Sequence, residues 1–219
     1  MKKILLRIKF TFLLLFLIFG SILSQSPVDM VDITELDSTI NIDLRYAAAD
    51  NFLGDTLYSA NICLLRKAVA ERLVKVHRYL HKRGLGLKIW DGYRPLSVQK
   101  KMWEKIPDSK FVANPKYGSN HNRGAAVDVT LVDLKGNELE MPTGFDDFSE
   151  KAHIKCENIS EEAKKNRWIL QKAMRRFGFK TINSEWWHFN DKDIKNYSVM
   201  DIPLDFFKTR KTQQKREVH

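Results

Sequence analysis

GSNHNRGAAVDVTL, residues 118–131, places a histidine in a glycine- and asparagine-rich loop and an aspartate seven residues later in an apolar strand. Positions 127, 129 and 131 are apolar, whereas Asp128 shares the other strand face with Ala126 and Thr130. This polar face is therefore predicted to line a cleft. Because a buried carboxylate costs free energy unless a partner compensates it, either a cation or an ordinary salt bridge is expected at Asp128.

The rest of the chain predicts helices and strands without a βαβ rhythm. Apolar residues at 65, 69, 73, 76 and 80 form a helical stripe that stops at Gly84. A second helix is predicted in SVQKKMWEKI and a third in ISEEAKKNRWILQKAMRRFGF, where Ser160 is the expected N-cap. The other expected strands are LKIW, ELEM after a KGN turn, and the segment entered through SEWWHFN. The predicted fold class is α+β, with helices packed on a central antiparallel sheet.

A second group of residues with catalytic chemistry is EWWH, residues 185–188. His121, Asp128 and His188 would offer two nitrogens and one oxygen, a set that zinc accepts with a fourth position left for water. Glu185 would then be suited to take a proton from that water. Because positions i and i+3 of a strand face opposite ways, Glu185 must lie in the entering loop or at a bulge. Taken singly, the same residues are also consistent with a structural salt bridge, a core histidine and packed tryptophans.

Three motifs in order identify a family resemblance. SNHNRGAAVD fits S-x-H-x-x-G-x-A-x-D, EWWH fits E-x-W-H, and WDGYRP precedes both. The chain resembles the D-alanyl-D-alanine dipeptidases of the VanX type, zinc peptidases that share the fold of DD-carboxypeptidases and the hedgehog signalling domain. The resemblance runs from about Ile42 to Asn190. It implies a hedgehog/DD-peptidase-like fold and hydrolysis of a small D-amino-acid dipeptide, D-Ala-D-Ala. Because export is also predicted, cell-wall dipeptide turnover is the expected role.

The resemblance also implies a metal site and a catalytic base. One zinc ion per chain would be bound by His121, Asp128 and His188. Glu185 would act as the general base in hydrolysis by metal-activated water.

Further matching residues would contact the substrate. Arg94 of GYRP would stabilise the oxyanion, although a salt bridge that holds this turn, with Asp91 as a structural partner, is an alternative. The substrate ends would be held by residues that match Ser119, Tyr46 and Asp146, with Asp147 as an adjacent rival for Asp146.

Two other functions are compatible with the same residues. One is a DD- or LD-carboxypeptidase that acts on longer peptidoglycan stem peptides. The other is a non-catalytic zinc-binding module, as hedgehog-type relatives suggest. Such a module could lose the base or the arginine, and the presence of both Glu185 and Arg94 favours an enzyme.

The two ends of the chain account for most of its net positive charge. Residues 1–25 combine a basic start, an apolar run and small residues, which predicts a signal peptide cut near Ser24; a retained anchor is the alternative. The net charge of the chain is +10. Four positive charges lie in this signal, and the tail at 208–219 has five positive charges and the negative Glu217. A net charge of about +2 therefore remains for the domain at 26–207. This charge does not support a nucleic-acid partner.

Export has consequences for location and for the cysteines. The mature protein is expected to be periplasmic or secreted, without a stable membrane span, and its oligomeric state is left open. Cys63 and Cys156 could pair in an oxidising compartment. His77 and His81 have the i, i+4 spacing of a helical metal pair, but basic neighbours and the lack of a glutamate between them predict a solvated helix face.

Overall fold

The computed structural model describes residues 29–209, so the signal peptide predicted at 1–25 and most of the tail predicted at 208–219 lie outside the described residues. The described strands are β1 Met30–Asp32, β2 Asn41–Ile42, β3 Leu64–Arg66, β4 Leu85–Asp91, β5 Ala126–Asp133, β6 Phe179–Thr181 and β7 His188–Asp191. The described α-helices are α1 Ile33–Leu36, α2 Lys67–His81, α3 Leu96–Lys105 and α4 Glu161–Arg176, and a further helical segment covers 204–209.

Five strands form the central sheet in the order β2-β4-β5-β7-β6. All neighbours in it are antiparallel except the short β2, which pairs with β4 in parallel. β1 and β3 form a separate antiparallel pair. The α+β class with helices on a mainly antiparallel sheet is therefore confirmed.

The predicted helices begin and end close to their sequence signals. α2 starts at Lys67 because residues 64–66 pair with β1 instead of continuing the helical stripe. Gly84 takes a left-handed conformation at φ +76°, which glycine adopts readily, and β4 follows at once. The Ser160 hydroxyl accepts a hydrogen bond from the Ala163 amide at 3.0 Å, which confirms the predicted N-cap of α4. α2 packs on β4, and α4 contacts both α2 and β5.

β5 lies in the middle of the sheet, and its two faces differ as predicted. The apolar positions 127, 129 and 131 are fully buried in the core. On the other face, Asp128 lines one cavity and Thr130 lines a second one. The strand register sets Asp128 opposite His188 of β7 and opposite Asp91 of β4. Because directly paired residues lie on one sheet face, these three side chains form a row across the sheet.

Two local predictions are wrong. ELEM does not form a regular strand. The predicted hairpin is present only as the turn, one antiparallel β-bridge between Val132 and Glu138, and a hydrogen bond from the Leu139 amide to the Leu131 carbonyl. His77 is not solvated, since only 2% of it is exposed.

Burial of His77 has a local cause. The segment after α1 covers its side of α2, where the imidazole Nε2 lies 2.9 Å from the Thr39 hydroxyl. Its Nδ1 accepts a hydrogen bond from the Leu87 amide at 3.2 Å. His77 therefore joins α2 to β4.

Two expectations for an exported protein concern residues 29–209: a possible disulfide between the cysteines and the lack of a membrane span. Cys63 is buried, Cys156 is partly exposed, and the two do not form a disulfide in this structure. Among the described helices, none has the length and apolarity needed to cross a bilayer.

Candidate active site

Three side chains from the opening stretch and from EWWH meet at one point. The His121 Nε2 atom lies 3.1 Å from His188 Nδ1 and 3.4 Å from an Asp128 carboxylate oxygen, and His188 Nδ1 lies 3.0 Å from the other oxygen. One ligand atom from each residue lies within 4.8 Å of the others, and all three residues are buried. The set can therefore hold a single metal ion.

Hydrogen bonds fix which nitrogen each histidine presents to this point. His121 Nδ1 lies 2.8 Å from the Gly92 carbonyl, which can only accept, so this nitrogen carries the proton and Nε2 has a free lone pair. His188 Nε2 lies 3.0 Å from the Asn190 side-chain oxygen, which also accepts from Asn120 at 2.9 Å. This leaves the lone pair on His188 Nδ1. Outer hydrogen bonds of this kind are typical of metal-binding histidines, so the residues present fit a metal ion.

The electrostatics of the three side chains also favour a cation. Burial alone would raise the pKa of Asp128, but the adjacent His121 and His188 imidazoles lower it well below its usual range. Burial alone would lower the pKa of His188, but the hydrogen bond to Asp128 and the charge of this carboxylate raise the pKa of the imidazole to about 9. The cluster thus stabilises positive charge at its centre, as a metal site requires.

Glu185 lies beside this cluster without belonging to it. It is in the loop at 182–187 between β6 and β7, so the alternation that would have pointed it away from His188 does not apply. One carboxylate oxygen is 3.8 Å from His188 Nδ1. Burial raises the pKa of Glu185, as expected for a carboxyl group suited to proton transfer.

Arg94 lines the same cavity and also makes the predicted salt bridge. Its Nη2 atom is 2.6 Å from an Asp91 carboxylate oxygen, and its Nη1 atom donates to Gln99 at 2.9 Å. Burial alone would lower the pKa of Arg94, but Asp91 raises it well above its usual value. The structural and the catalytic interpretation of Arg94 are therefore compatible, because the salt bridge holds a charged guanidinium at the cavity wall.

The three residues predicted to hold the substrate ends also line this cavity. The Tyr46 hydroxyl donates to both oxygens of Asp146, at 3.2 and 3.0 Å. Burial, with the nearby Asp128 charge, raises the pKa of Asp146 to about 8. Ser119 lies next to the helical turn that carries His121. The rival Asp147 is not among the described residues that line the cavity; its carboxylate accepts from the Ser149 amide instead.

The cavity itself is small. Its volume is about 250 Å³, below the ~300–1,000 Å³ of sites for drug-sized ligands. Metal-ligating, acidic and basic groups share it, and its walls include aromatic rings. Such a site can bind a small molecule that carries a positive and a negative charge, and its acidic and basic groups can exchange protons with that molecule.

Sequence reasoning did not find two supporting residues. Asn190 lies two positions after His188, on the same face of β7, and this spacing is a usable signal for a partner of a metal-binding histidine. Gln99 lies in the first turn of α3 and has no local signal, because its role depends on Arg94 and on the Ala113 carbonyl, to which it donates at 2.8 Å.

Known proteins are similar to this chain over most of its length. A D-alanyl-D-alanine dipeptidase of Escherichia coli (strain K12) is 37% identical over 189 residues, 86% of this chain and 98% of the relative. A D-alanyl-D-alanine dipeptidase of Enterococcus faecium is 31% identical over 193 residues, 78% of this chain and 95% of that protein. Among solved structures, the LdcB LD-carboxypeptidase has a TM-score of 0.44 and 19% identity, covering 83% of this chain and 78% of that chain. The sequence model of the D-Ala-D-Ala dipeptidase family, peptidase family M15, matches residues 26–209, and the chain belongs to this family.

Proposed function

We propose that this protein is a zinc-dependent dipeptidase that hydrolyses D-Ala-D-Ala. The observation that carries the proposal is one small cavity in which Glu185 and Arg94 flank the cluster of His121, Asp128 and His188. Family membership supports the same reaction, since relatives with this activity in their names match over 98% and 95% of their own lengths. Two nitrogens and one carboxylate oxygen are a ligand set that zinc accepts in catalytic sites.

Glu185 is the proposed general base. A zinc ion held by the three ligands would lower the pKa of a water molecule from ~15.7 to ~7 and polarise the scissile carbonyl. Glu185 accepts a proton from the attacking water as the new C–O bond forms, and it delivers this proton to the departing amine as the C–N bond breaks. Its raised pKa suits both transfers, because it lies closer to the operating pH than that of an ordinary glutamate.

Arg94 is the proposed oxyanion group. Negative charge develops on the carbonyl oxygen during attack, and a fixed guanidinium in a water-poor cavity stabilises it without reorganisation. Asp91 and Gln99 hold this guanidinium by three of its nitrogens, so it is oriented before substrate binds.

Asp146 and Ser119 are the proposed partners of the two substrate ends. A dipeptide zwitterion needs an anion for its ammonium group, and Asp146, oriented by the Tyr46 hydroxyl, supplies one. Ser119, beside His121 in the same cavity, offers a hydroxyl to the substrate carboxylate. The ammonium would also favour the charged form of Asp146.

The alternatives fit the observations less well. A cavity of about 250 Å³ favours a dipeptide over a stem peptide. A non-catalytic zinc module would need neither a carboxylate with a raised pKa beside the ligands nor an oriented arginine.

An assay on the purified protein tests the reaction. D-alanine release is measured from D-Ala-D-Ala and from a wall pentapeptide, together with zinc content by elemental analysis. We expect about one zinc per chain and faster release from the dipeptide; faster release from the pentapeptide would contradict the proposal.

Glu185→Gln tests the proposed base separately. The variant should lose ~100- to 10,000-fold in kcat while it retains zinc, because Glu185 lies outside the ligand set. An unchanged kcat would remove Glu185 from the mechanism.

We further propose that the protein is exported through a signal peptide at residues 1–25 and turns over dipeptide in the periplasm or outside the cell. The order of basic, apolar and small residues supports this location. N-terminal sequencing of the mature protein should begin near residue 25, and an intact N-terminus on protein from the cytoplasmic fraction would refute it.

A further inference from the structure

Three phenylalanine rings from separate parts of the chain form one cluster along the reaction cavity, and we call this cluster, Phe52, Phe111 and Phe148, the aromatic roof. The rings of Phe52 and Phe148 meet edge to face at 5.3 Å between centroids, and those of Phe111 and Phe148 lie 4.7 Å apart. All three residues line the cavity. Phe111 and Phe148 are 39% and 36% exposed, so the roof lies between the cavity and solvent.

Phe52 packs against the core, but core packing does not account for the positions of Phe111 and Phe148. Most large apolar side chains of the described domain are buried, and a contiguous exposed apolar patch is often a binding site. Here the exposed rings are next to the charged groups proposed to bind and cleave substrate.

Hydrogen bonds shape the backbone segments that carry two of the rings, Phe52 and Phe111. The Asn51 side chain donates to the carbonyls of Ala48 and Asp55, at 2.8 Å each, and so closes the loop that carries Phe52. Gln99 donates to the Ala113 carbonyl and so ties the segment after Phe111 to α3, where Gln99 also holds Arg94. These contacts hold the backbone next to Phe52 and Phe111 in place.

The roof adjoins one particular end of the proposed substrate. Phe52 packs edge-on against Tyr46 with 6.3 Å between centroids, and the Tyr46 hydroxyl bonds Asp146, the proposed ammonium partner. Phe148 follows Asp146 by two residues. A group attached to the substrate amine would therefore extend toward these rings.

We propose that the aromatic roof determines substrate length by occupying the space that an acyl or peptidyl extension of the amine would need. The proposal rests on the proposed dipeptidase function. Dipeptides with a free amine are accepted, and dipeptide units whose amine is acylated or joined to a longer peptide are excluded.

A substrate pair tests this role. The double variant Phe111→Ala/Phe148→Ala and both single variants are assayed with D-Ala-D-Ala and with N-acetyl-D-Ala-D-Ala. Because a small steric change in an apolar pocket alters discrimination ~10- to 200-fold, the ratio of kcat/KM for the acetylated over the free dipeptide should rise ~10-fold or more in the double variant. Both rings are partly exposed, so the variants are expected to fold, and the single variants provide the readout if the double variant does not.

Phe206→Ala is the matched control. Phe206 is 46% exposed and pairs with the Phe207 ring at 5.4 Å, but it is not among the described residues that line the cavity. Its substitution should leave the ratio unchanged. If this ratio in the double variant stays within about twofold of the parent value, the proposed role of the aromatic roof is overturned, whereas the dipeptidase function is not. A parent protein that releases D-alanine from the pentapeptide faster than from D-Ala-D-Ala overturns the dipeptidase function and this proposal with it.

Discussion

Asp91→Asn tests whether the buried ion pair behind Arg94 supports both the fold and the reaction. Asp91 is fully buried, and its carboxylate accepts hydrogen bonds from the Gly92 amide at 2.8 Å, from Arg94 and from the Tyr58 hydroxyl. Asparagine has nearly the same shape but no charge, and its amide group would bring N–H donors toward the guanidinium. The variant therefore leaves Arg94 charged and without its anion.

The expected loss of stability follows from burial. Arg94 is only 8% exposed and cannot regain water in place of the carboxylate. Removing one partner of a buried ion pair costs about 3–5 kcal/mol. For a chain of this size about 1 kcal/mol shifts the melting temperature by 2–4 °C, so Tm should fall by roughly 6–20 °C. A displaced guanidinium should also lower kcat/KM for D-Ala-D-Ala, by up to the ~100- to 1,000-fold that follows from loss of one oxyanion donor.

Asp37→Asn is the control for this prediction. Asp37 pairs with Arg78 at 2.9 Å, but the Arg78 side chain is 63% exposed, so the pair is worth about 0–1 kcal/mol. Both variants and the parent are melted by circular dichroism at one zinc concentration and assayed for D-alanine release. Equal and small Tm shifts for the two variants would show that the Asp91–Arg94 pair does not stabilise the protein, and unchanged kinetics would detach Asp91 from the site.

Three further changes test other parts of the structure. Asn190→Ala removes the hydrogen bond that fixes His188, so zinc affinity should fall ~10- to 100-fold in a titration against a chromophoric chelator. Asp146→Asn should raise KM for D-Ala-D-Ala roughly 10- to 100-fold in steady-state kinetics, since a hydrogen bond to a charged group is worth about 1.5–3 kcal/mol. Burial lowers the pKa of His77 below the ~6.5 of the unfolded chain. The unfolded state therefore binds more protons than the folded state as pH falls through about 6.5. The free energy of unfolding, measured with urea, should decrease as pH drops below about 6.5, and it should decrease less in His77→Gln.

Local patterns predicted those features of the fold that depend on local physics. The α2 stripe, the Ser160 cap and the alternation of β5 each involve residues within a few positions of one another. The short strands β1, β2 and β6 have two or three residues each, too few to show a period. The pairing of β1 with β3 and of β2 with β4 is also decided by partners that are distant in the sequence. His77 shows the same limit, because its basic neighbours indicated solvent while a segment about 40 residues earlier covers it.

In the candidate active site, too, residues in local motifs could be predicted better than residues whose partners are set by tertiary contacts. The metal ligands and Glu185 could be predicted because each lies in a motif. Asn190 also had a usable signal, its spacing of two residues from His188 on one strand face. Gln99 could not be predicted, because its role depends on its contacts with Arg94 and with the Ala113 carbonyl. Asp91 was expected to serve the turn, whereas its carboxylate also lies 3.4 Å from His121 Nδ1.

The position of Asp91 depends on a bulge that alternation alone would have missed. Ile89 pairs with Val129 on the core face, and in a regular strand Asp91 would share that face. The register shifts between Ile89 and Asp91, so Asp91 pairs with Asp128 instead. Bulges redirect side chains in this way and are common beside active sites. One extra residue thus moves a carboxylate from the core face to the face of the site. There Asp91 both holds the Arg94 guanidinium and lies beside His121, a proposed metal ligand, so the positions of Arg94 and His121 are coupled.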